Sequence, residues 1–257
     1  MGKDRSGEPV ARPRLLIGAA PQADDEARAG VARDPPRRAL YGRSRGRKLR
    51  AHHARLIAER LPQLEIDRET IGNFRDLFPF APSEVWLEIG FGGAEHLLAQ
   101  AIARRDVGFI ACEPFINGVA KALAGIEENR LDNVRLRAGD AGALIADLPD
   151  ACLSRIFILY PDPWPKRRQN KRRLISDRMV RELARVARRG ARVRFATDID
   201  DYAGWTLRRF LGSADFDWLA READDWRRPW ADWRATRYEA KARREQRRPV
   251  YLTFERV

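Results

Sequence analysis

From Glu84 onward, apolar runs of strand length alternate with helical periods, and this alternation restricts the possible folds more than any other feature. It predicts strands over residues 85–89, 107–112, 134–138, 156–160 and 193–196, with a closing pair near 216–219 and 250–254. It predicts helices over 52–60, 95–104, 118–128, 174–188 and 202–211, and a short one near 144. Strands that alternate with helices form βαβ units, so we expect an α/β fold with a doubly wound, mostly parallel sheet covered by helices on both faces.

The N-terminal part of the chain lacks this alternation. Residues 1–36 are rich in Ala, Arg, Pro and Asp and have no periodicity, which predicts a disordered arm. Residues 37–60 read as a basic segment followed by a short helix, and residues 61–257 as the folded domain.

Charge is distributed unevenly along the chain, whose formal net charge is +13. Residues 61–159 hold 9 basic and 15 acidic side chains, whereas residues 160–173 hold 6 basic and 1 acidic, and residues 37–50 hold 7 basic and no acidic ones. An acidic block between basic segments predicts a neutral or cationic ligand next to a polyanion. The two basic runs and a pI near 10.5 favour nucleic acid as the polyanion.

Several classes of protein are disfavoured by composition. No stretch approaches the roughly 18 consecutive apolar residues of a membrane span. The cysteines, Cys112 and Cys152, form no disulfide framework, and with three histidines the chain offers no plausible metal-ligand set. We therefore expect a cytoplasmic protein without a metal centre.

Carboxylates follow or end four successive predicted strands: Glu88, Glu113, Asp140 and Asp162. In parallel sheets such strand ends meet at one edge, where ligands bind. The first strand leads into a turn containing Gly90 and Gly92, but the dinucleotide-binding pattern fails because its last glycine is replaced by Glu95. A pocket of negative potential would repel a pyrophosphate and accept a cationic nucleoside. S-adenosylmethionine, which has a sulfonium, an ammonium, a ribose diol and no phosphate, is the predicted cofactor.

The fourth strand ends in Tyr160-Pro-Asp-Pro-Trp-Pro-Lys166. The prolines stiffen this turn, and Trp164 offers a flat surface on which a base could stack. The run that follows, from Arg167 to Arg173, holds five further basic side chains and suits phosphate binding.

These stretches resemble the bacterial tRNA (guanine-N7)-methyltransferases. The matching segments are Leu87-Glu-Ile-Gly-Phe-Gly, Cys112-Glu-Pro-Phe-Ile-Asn-Gly-Val-Ala, the Pro-Asp-Pro-Trp turn with Asn170-Lys-Arg-Arg, Ala196-Thr-Asp and Thr236-Arg-Tyr-Glu. They occur in family order over residues 37–257, and Pro-Asp-Pro-Trp followed by Asn-Lys-Arg-Arg is the most specific of them. Ala94 and Ala111 stand where the family often has glycine.

The resemblance implies a class I, Rossmann-like methyltransferase fold with a seven-stranded sheet, and a reaction that methylates N7 of guanine 46 in the variable loop of tRNA. It implies cofactor binding by Glu88, Gly90, Gly92, Glu113, Asp140 and Asp162, with Asp162 as the catalytic residue. It implies substrate binding by Lys166, Asp198, Thr236, Arg237, Tyr238 and Glu239. It implies tRNA binding by Arg168, Gln169, Asn170, Lys171, Arg172 and Arg173.

Alternatives remain at this stage. The same fold could methylate another nitrogen of an RNA base, or could bind RNA without catalysis. A nucleotide-dependent oxidoreductase is disfavoured by Glu95 and by the lack of a phosphate-pairing Arg near the glycine turn. The expected partner is tRNA, with no membrane partner, and the protein is expected to be a monomer or a homodimer.

Overall fold

The computed structural model describes Ser44 and residues 46–257, so the predicted disordered arm, 1–36, lies outside the described residues. The strands are β1 (Glu84–Ile89), β2 (Val107–Cys112), β3 (Val134–Arg137), β4 (Leu153–Leu159), β5 (Ala187–Thr197), β6 (Phe216–Trp218) and β7 (Val250–Arg256). The helices are α1 (Ala51–Glu59), α2 (Leu61–Leu64), α3 (Arg68–Gly72), α4 (Glu95–Ala103), α5 (Ile116–Glu128), α6 (Ala141–Asp147), α7 (Asp177–Val186), α8 (Asp200–Leu211), α9 (Asp224–Arg227) and α10 (Arg237–Arg244). Short 3-10 helices cover Phe74–Asp76 and Arg167–Arg172.

The seven strands form one sheet in the order β3-β2-β1-β4-β5-β7-β6. Strands β1 to β5 run parallel to one another, and β7 pairs antiparallel with both β5 and β6. The predicted seven-stranded, mostly parallel sheet is therefore confirmed. The strand order reverses between β1 and β4, and ligands bind beyond the carboxyl ends of the strands at such a reversal.

Two apolar layers cover the sheet. In β1, Val85, Leu87 and Ile89 pack on the face covered by α6, α7 and α8, whereas Trp86 packs on the opposite face with α4 and α5. This alternation follows from the two-residue repeat of a strand, which points successive side chains to opposite faces. Glu88, two residues after Trp86, therefore points to the α4 side.

The boundaries of α7 and β5 differ from those predicted. The helix predicted over 174–188 begins at Asp177 because the side chain of Ser176 caps it by accepting from the Met179 amide at 3.2 Å. It ends at Val186 because β5 begins at Ala187, and β5 is much longer than the predicted 193–196.

No helix in the described part of the chain is long and apolar enough to cross a membrane.

Part of the basic N-terminal segment is held against the folded domain. The Gly46 amide donates to Asn117 Oδ1 at 2.9 Å, and Asn117 Nδ2 donates to the Arg47 carbonyl at 2.8 Å. Farther along, α1 buries Leu56 in the same apolar layer as α5. The N-terminal segment thus approaches the start of α5, the helix that follows β2.

Candidate active site

The carboxyl ends of the parallel strands carry a row of acidic side chains. Across the sheet from β3 to β5 these are Asp140, Glu113, Glu88, Asp162 and Asp198. Adjacent strands lie about 4.8 Å apart, so neighbouring strand ends bring their carboxylates within range of one another's charge. The topology therefore places the predicted acidic residues along one edge of the sheet.

The turn after β1 is built on left-handed backbone. Gly90 has φ 75° and Gly92 has φ 54°, and the Gly90 amide donates to the Cys112 carbonyl at 2.8 Å. A Cβ at Gly90 would meet no atom within 4 Å, so open space lies beside the turn. Ala94 also has positive φ, 65°, although it is not a glycine, and it immediately precedes α4. Gly90 and Gly92 thus give the backbone the sharp path that a ligand-binding turn needs.

Glu113 holds the glycine turn in place. Its Oε2 accepts from the Gly92 amide at 2.8 Å and its Oε1 accepts from the Phe115 amide at 2.9 Å. Burial raises the pKa of Glu113, and the charges of Asp162 and Glu88 act in the same direction, against the effect of the two amides. These carboxylates therefore lie close enough to interact electrostatically.

Asp140 has a structural contact of its own. It is the N-cap of α6, where Oδ1 accepts from the amides of Gly142 and Ala143 at 2.8 and 3.2 Å. The predicted cofactor residue is thus also a helix-capping residue, a role that Asp commonly plays.

Asp162 lies in a turn of unusual backbone geometry. The aromatic residues Tyr160 and Trp164 have φ of 51° and 43°, a region that large side chains rarely adopt. Asp162 is exposed at the rim, and partial desolvation by the surrounding protein raises the pKa of its carboxyl group. The turn thus presents a carboxylate to solvent at the strand-order reversal.

The segment from Thr236 onward covers the glycine turn. Arg237 Nε donates to Glu95 Oε1 at 2.7 Å, on the first residue of α4. A Cβ at Gly93 would lie 1.4 Å from Arg237 Nη2, and one at Gly92 would lie 3.1 Å from the Tyr238 ring. The glycines therefore leave room for these side chains as well as for a ligand.

Thr236 and Glu239 hold α10 rather than face the rim. Thr236 Oγ1 accepts from the Glu239 amide at 3.3 Å as the N-cap of α10. Glu239 is 2% exposed, and its carboxylate accepts from Trp233 Nε1, from Tyr251 Oη at 3.0 Å and from Arg243 Nη2 at 2.6 Å. The expectation that Glu239 contacts the substrate does not agree with this burial. The Thr-x-x-Glu spacing is that of a capping box. Thr236 forms its half of that motif, whereas the Glu239 carboxylate bonds Trp233, Tyr251 and Arg243.

The comparisons with known proteins agree with one another. A family model described as "Putative methyltransferase" matches residues 82–252. The tRNA (guanine-N(7)-)-methyltransferase of Bradyrhizobium diazoefficiens is 52% identical over 233 residues, covering 90% of this chain and 99% of the relative. The chain belongs to the tRNA (guanine-N7)-methyltransferase family.

Other members of the tRNA (guanine-N7)-methyltransferase family match to a similar extent. The member from Rhodopseudomonas palustris strain BisB18 is 50% identical over 239 residues, covering 92% of this chain and 94% of the relative. Among solved structures, the aminoglycoside resistance methyltransferase NpmB1 is 16% identical, covers 75% of this chain and 94% of its own, and gives a TM-score of 0.48.

In this methyltransferase the basic run divides into exposed and buried side chains. Lys166, Arg168 and Lys171 are exposed, on or beside the 3-10 helix Arg167–Arg172. Arg173 is 2% exposed, donates from Nε to the Pro163 carbonyl at 2.9 Å, and is ion-paired with Asp201. The expectation that Arg173 contacts tRNA does not agree with its burial, and its contacts instead hold the Asp162 turn.

Asp198, at the end of β5, is already paired within the methyltransferase. Its Oδ2 accepts from Arg247 Nε at 2.6 Å, and its side chain is 14% exposed. A contact between Asp198 and the substrate, as the resemblance implies, would therefore require Asp198 to leave its arginine partner.

One residue beside the site was not predicted. His96 is 2% exposed, and its Nδ1 lies 2.7 Å from Glu88 Oε2. The signal that identifies it is helical spacing, because His96 and Gln100 lie one turn apart in α4 on the side that packs against the sheet. The described residues contain no group of three or more His, Cys, Asp or Glu side chains able to hold a metal ion.

Proposed function

We propose that the protein transfers a methyl group from S-adenosylmethionine to N7 of guanine 46 in the variable loop of tRNA. Relatives about half identical to this chain over most of its length are named for guanine-N7 methylation of tRNA. The observation that carries the proposal is the position of the Pro161–Pro165 turn. On one side it meets the acidic edge of the sheet, and on the other it continues into the exposed basic 3-10 helix Arg167–Arg172.

The residues at the sheet edge fit S-adenosylmethionine. The open space beside Gly90 admits a ligand against the backbone. The carboxylates of Glu88 and Glu113 suit a cation and hydroxyl donors, and the glycine turn has no lysine for a phosphate. When bound, S-adenosylmethionine supplies an electrophilic methyl group on a positively charged sulfur.

Glu113 is the residue that would accept the ribose hydroxyls. An ionised carboxylate has about four acceptor positions. Its bonds to the Gly92 and Phe115 amides use one lone pair on each oxygen and fix the direction of the group. Asp140 would hold the cofactor through Oδ2, since among the described residues only Oδ1 receives the cap amides.

Asp162 would act on the substrate without removing a proton. Guanine N7 is an acceptor whose lone pair is free at neutral pH, so no general base is needed. Positive charge develops on the purine as N7 is methylated, and a fixed carboxylate nearby stabilises that charge. Positioning of N7 would supply the rest of the reduction in the activation barrier, up to roughly 7–11 kcal/mol in favourable cases.

The exposed basic side chains would bind the tRNA backbone. Lys166, Arg168 and Lys171 adjoin the Asp162 turn, with Gln169, Asn170 and Arg172 on the same 3-10 helix. On the other side of the site Arg237 and the half-exposed Tyr238 begin α10 and lie over the glycine turn. We assign these residues to the substrate side, with Thr236 and Glu239 supporting them.

The test is to map the methylated nucleotide. Unmodified tRNA is incubated with the full-length protein and methyl-labelled S-adenosylmethionine, then reduced and treated with aniline, which cleaves RNA at 7-methylguanine. We expect cleavage at guanine 46 and no label in a tRNA whose guanine 46 is replaced by adenine.

The controls separate the proposal from its rivals. Label at another base would indicate a methyltransferase with a different target, and no label with intact tRNA binding would indicate a non-catalytic RNA-binding protein. The cytoplasmic location and the monomeric or homodimeric state stay predictions.

A further inference from the structure

A buried histidine, His96, lies against Glu88 at the carboxyl end of β1 and has no part in the proposed chemistry. His96 occupies the second position of α4, and its ring meets Phe157 edge-on at a centroid distance of 4.6 Å. On another side the ring of Trp233 lies 5.5 Å away. His96 and its partner Glu88 are 2% and 5% exposed. The imidazole is therefore fixed in one orientation by packing.

The hydrogen bonds around His96 determine which ring nitrogen carries the proton. Gln100 Nε2 donates to the Asp232 carbonyl at 2.8 Å, so the amide nitrogen of Gln100 faces this region. The same nitrogen lies 3.4 Å from His96 Nε2, which must then act as an acceptor. We therefore assign a proton to Nδ1, which donates to Glu88 Oε2 at 2.7 Å.

This bond fixes one oxygen of Glu88 and leaves the other for a ligand. Among the described residues the Glu88 carboxylate accepts a hydrogen bond from His96 alone, on Oε2. Glu88 is the penultimate residue of β1, just before the glycine turn, and its charge acts on Glu113. A carboxylate buried this deeply would be costly unless it were both hydrogen-bonded and paired with a cation.

The cationic groups of the proposed cofactor suggest what Glu88 binds. S-adenosylmethionine has a sulfonium and an α-ammonium. The sulfonium must face the substrate at Asp162, and the ribose diol suits Glu113, so the ammonium remains for Glu88.

We propose that His96 is a positioning residue: its Nδ1–H holds the Glu88 carboxylate in the orientation that binds the amino-acid end of the cofactor. This inference rests on the proposed function. Through Gln100 and the Asp232 carbonyl the same hydrogen-bonded chain reaches the segment that leads to Arg237 and Tyr238. It thereby links the cofactor side of the site to the substrate side.

The test compares two nucleosides on the full-length protein by calorimetry. S-adenosylhomocysteine has the amino-acid end, whereas 5′-methylthioadenosine lacks it. We expect His96→Leu to weaken binding of S-adenosylhomocysteine by about ten- to a hundred-fold, the range for a lost hydrogen bond to a charged group, and to change 5′-methylthioadenosine binding less than about two-fold. His96→Asn, whose amide nitrogen occupies the position of Nδ1, should restore affinity to within about three-fold, whereas His96→Gln, whose nitrogen lies one bond farther out, should not.

A double-mutant cycle with Glu88→Gln separates positioning from a structural effect. If His96 acts through Glu88, then His96→Gln weakens S-adenosylhomocysteine binding by less than about a further two-fold when Glu88→Gln is already present. Equal losses for both nucleosides, an Asn variant as weak as the Gln variant, or the same loss in both backgrounds would overturn the inference. The Asn and Gln variants carry the test if the Leu variant does not fold. Failure of the unsubstituted protein to bind either nucleoside would instead overturn the proposed function.

Discussion

At the scale of single residues, the turn around Asp162 combines backbone strain with an accessible carboxylate. Tyr160 and Trp164 have positive φ, a conformation that costs about 1–3 kcal/mol per residue and that is common at functional sites. Arg173 stabilises the turn by donating from Nε to the Pro163 carbonyl. The surrounding protein thus maintains a conformation that residues 160–164 alone would not favour.

The raised pKa of Asp162 predicts the acid side of the pH–rate profile. In the proposed mechanism the ionised carboxylate stabilises the methylated purine, so activity should fall when the pH drops through the pKa of Asp162. Desolvation raises that pKa, and the acid limb of kcat/KM should therefore lie above the ordinary value of about 3.9. Asp162→Asn should lose turnover, bind tRNA nearly as well as the unsubstituted protein, and lose this limb from its residual activity. An unaltered profile in the variant would exclude Asp162 from the reaction.

Arg173 and Arg168 should behave differently although they lie in the same basic run. Arg173→Ala removes a buried side chain together with its bonds to Pro163 and Asp201, and we expect a loss of about 2–4 kcal/mol in unfolding free energy. Arg168→Ala should leave the melting temperature unchanged and reduce the salt slope of tRNA binding by a little less than one. Denaturant unfolding measures the stability of each variant, and filter binding at several salt concentrations measures its tRNA affinity and salt slope. An Arg173→Ala protein that is as stable as the unsubstituted protein but binds tRNA more weakly would contradict the structural role of Arg173.

The sequence identifies these residues but does not reveal which of them are buried. Arg173 belongs to a run of basic residues that is typical of a single solvated surface, and it is buried just where the 3-10 helix Arg167–Arg172 ends. Glu239 and His96 are similar cases, because their roles depend on partners far along the chain, Tyr251 and Gln100 with Asp232. Local patterns place both residues on their helices but do not identify these distant partners.

At the scale of secondary-structure elements, the start of α5 supports the glycine turn. A Cβ at Gly118 would lie 2.2 Å from the Gly92 carbonyl oxygen, a contact with backbone that no side-chain rotation can relieve. Close packing of α5 against the turn after β1 therefore depends on a glycine within a helix, a position where glycine is otherwise unfavourable.

Two glycine substitutions test this packing. Gly118→Ala should lower the free energy of unfolding by about 1–3 kcal/mol and weaken S-adenosylhomocysteine binding, because the turn must move. Gly204→Ala is the matched control in α8, where the nearest atom to a Cβ is Arg208 Nη1 at 3.7 Å. It should raise stability by up to about 1 kcal/mol through helix propensity. Equal effects of the two substitutions on unfolding and on binding would show that the close approach of Gly118 to the Gly92 carbonyl is unimportant.

Strands buried on both faces could be predicted closely, and charged strands could not. β2 covers Val107–Cys112 as predicted, because an uninterrupted apolar run is bounded there by charged residues. β5 extends back to Ala187 through Arg188, Arg189 and Arg192, where no apolar pattern signals a strand. Its extension depends on pairing with β4, which includes a register shift between Leu153 and Arg155. Tertiary pairing thus determined what local sequence did not indicate.

At the scale of the whole molecule, acidic and basic regions meet at the active site although the net charge is +13. The carboxylates line the ends of β1 to β4, and the exposed basic residues follow immediately after β4. This separation lets one site hold a cationic nucleoside beside a polyanion.

The separation predicts different salt dependences for the two ligands. tRNA binding should weaken steeply with salt, with a log–log slope of roughly −0.7 to −0.9 per phosphate neutralised. S-adenosylhomocysteine is zwitterionic, and its proposed carboxylate partners Glu88 and Glu113 are buried, so its Kd should change less than about two-fold between roughly 50 and 200 mM salt. Calorimetry and filter binding in matched buffers test this, and equal slopes would show that the two regions do not act independently.

The place of β7 between β5 and β6 has a consequence for folding during synthesis. Synthesis proceeds from the N-terminal side, so β1 to β5 leave the ribosome before β7, and β6 emerges before β7, its pairing partner among the described strands. Until then the edge of β5 is unpaired in the nascent chain, and Glu239 lacks the hydroxyl of Tyr251. We therefore expect the sheet to be complete, and Glu239 to gain the Tyr251 hydroxyl, only after residues 250–256 have cleared the exit tunnel.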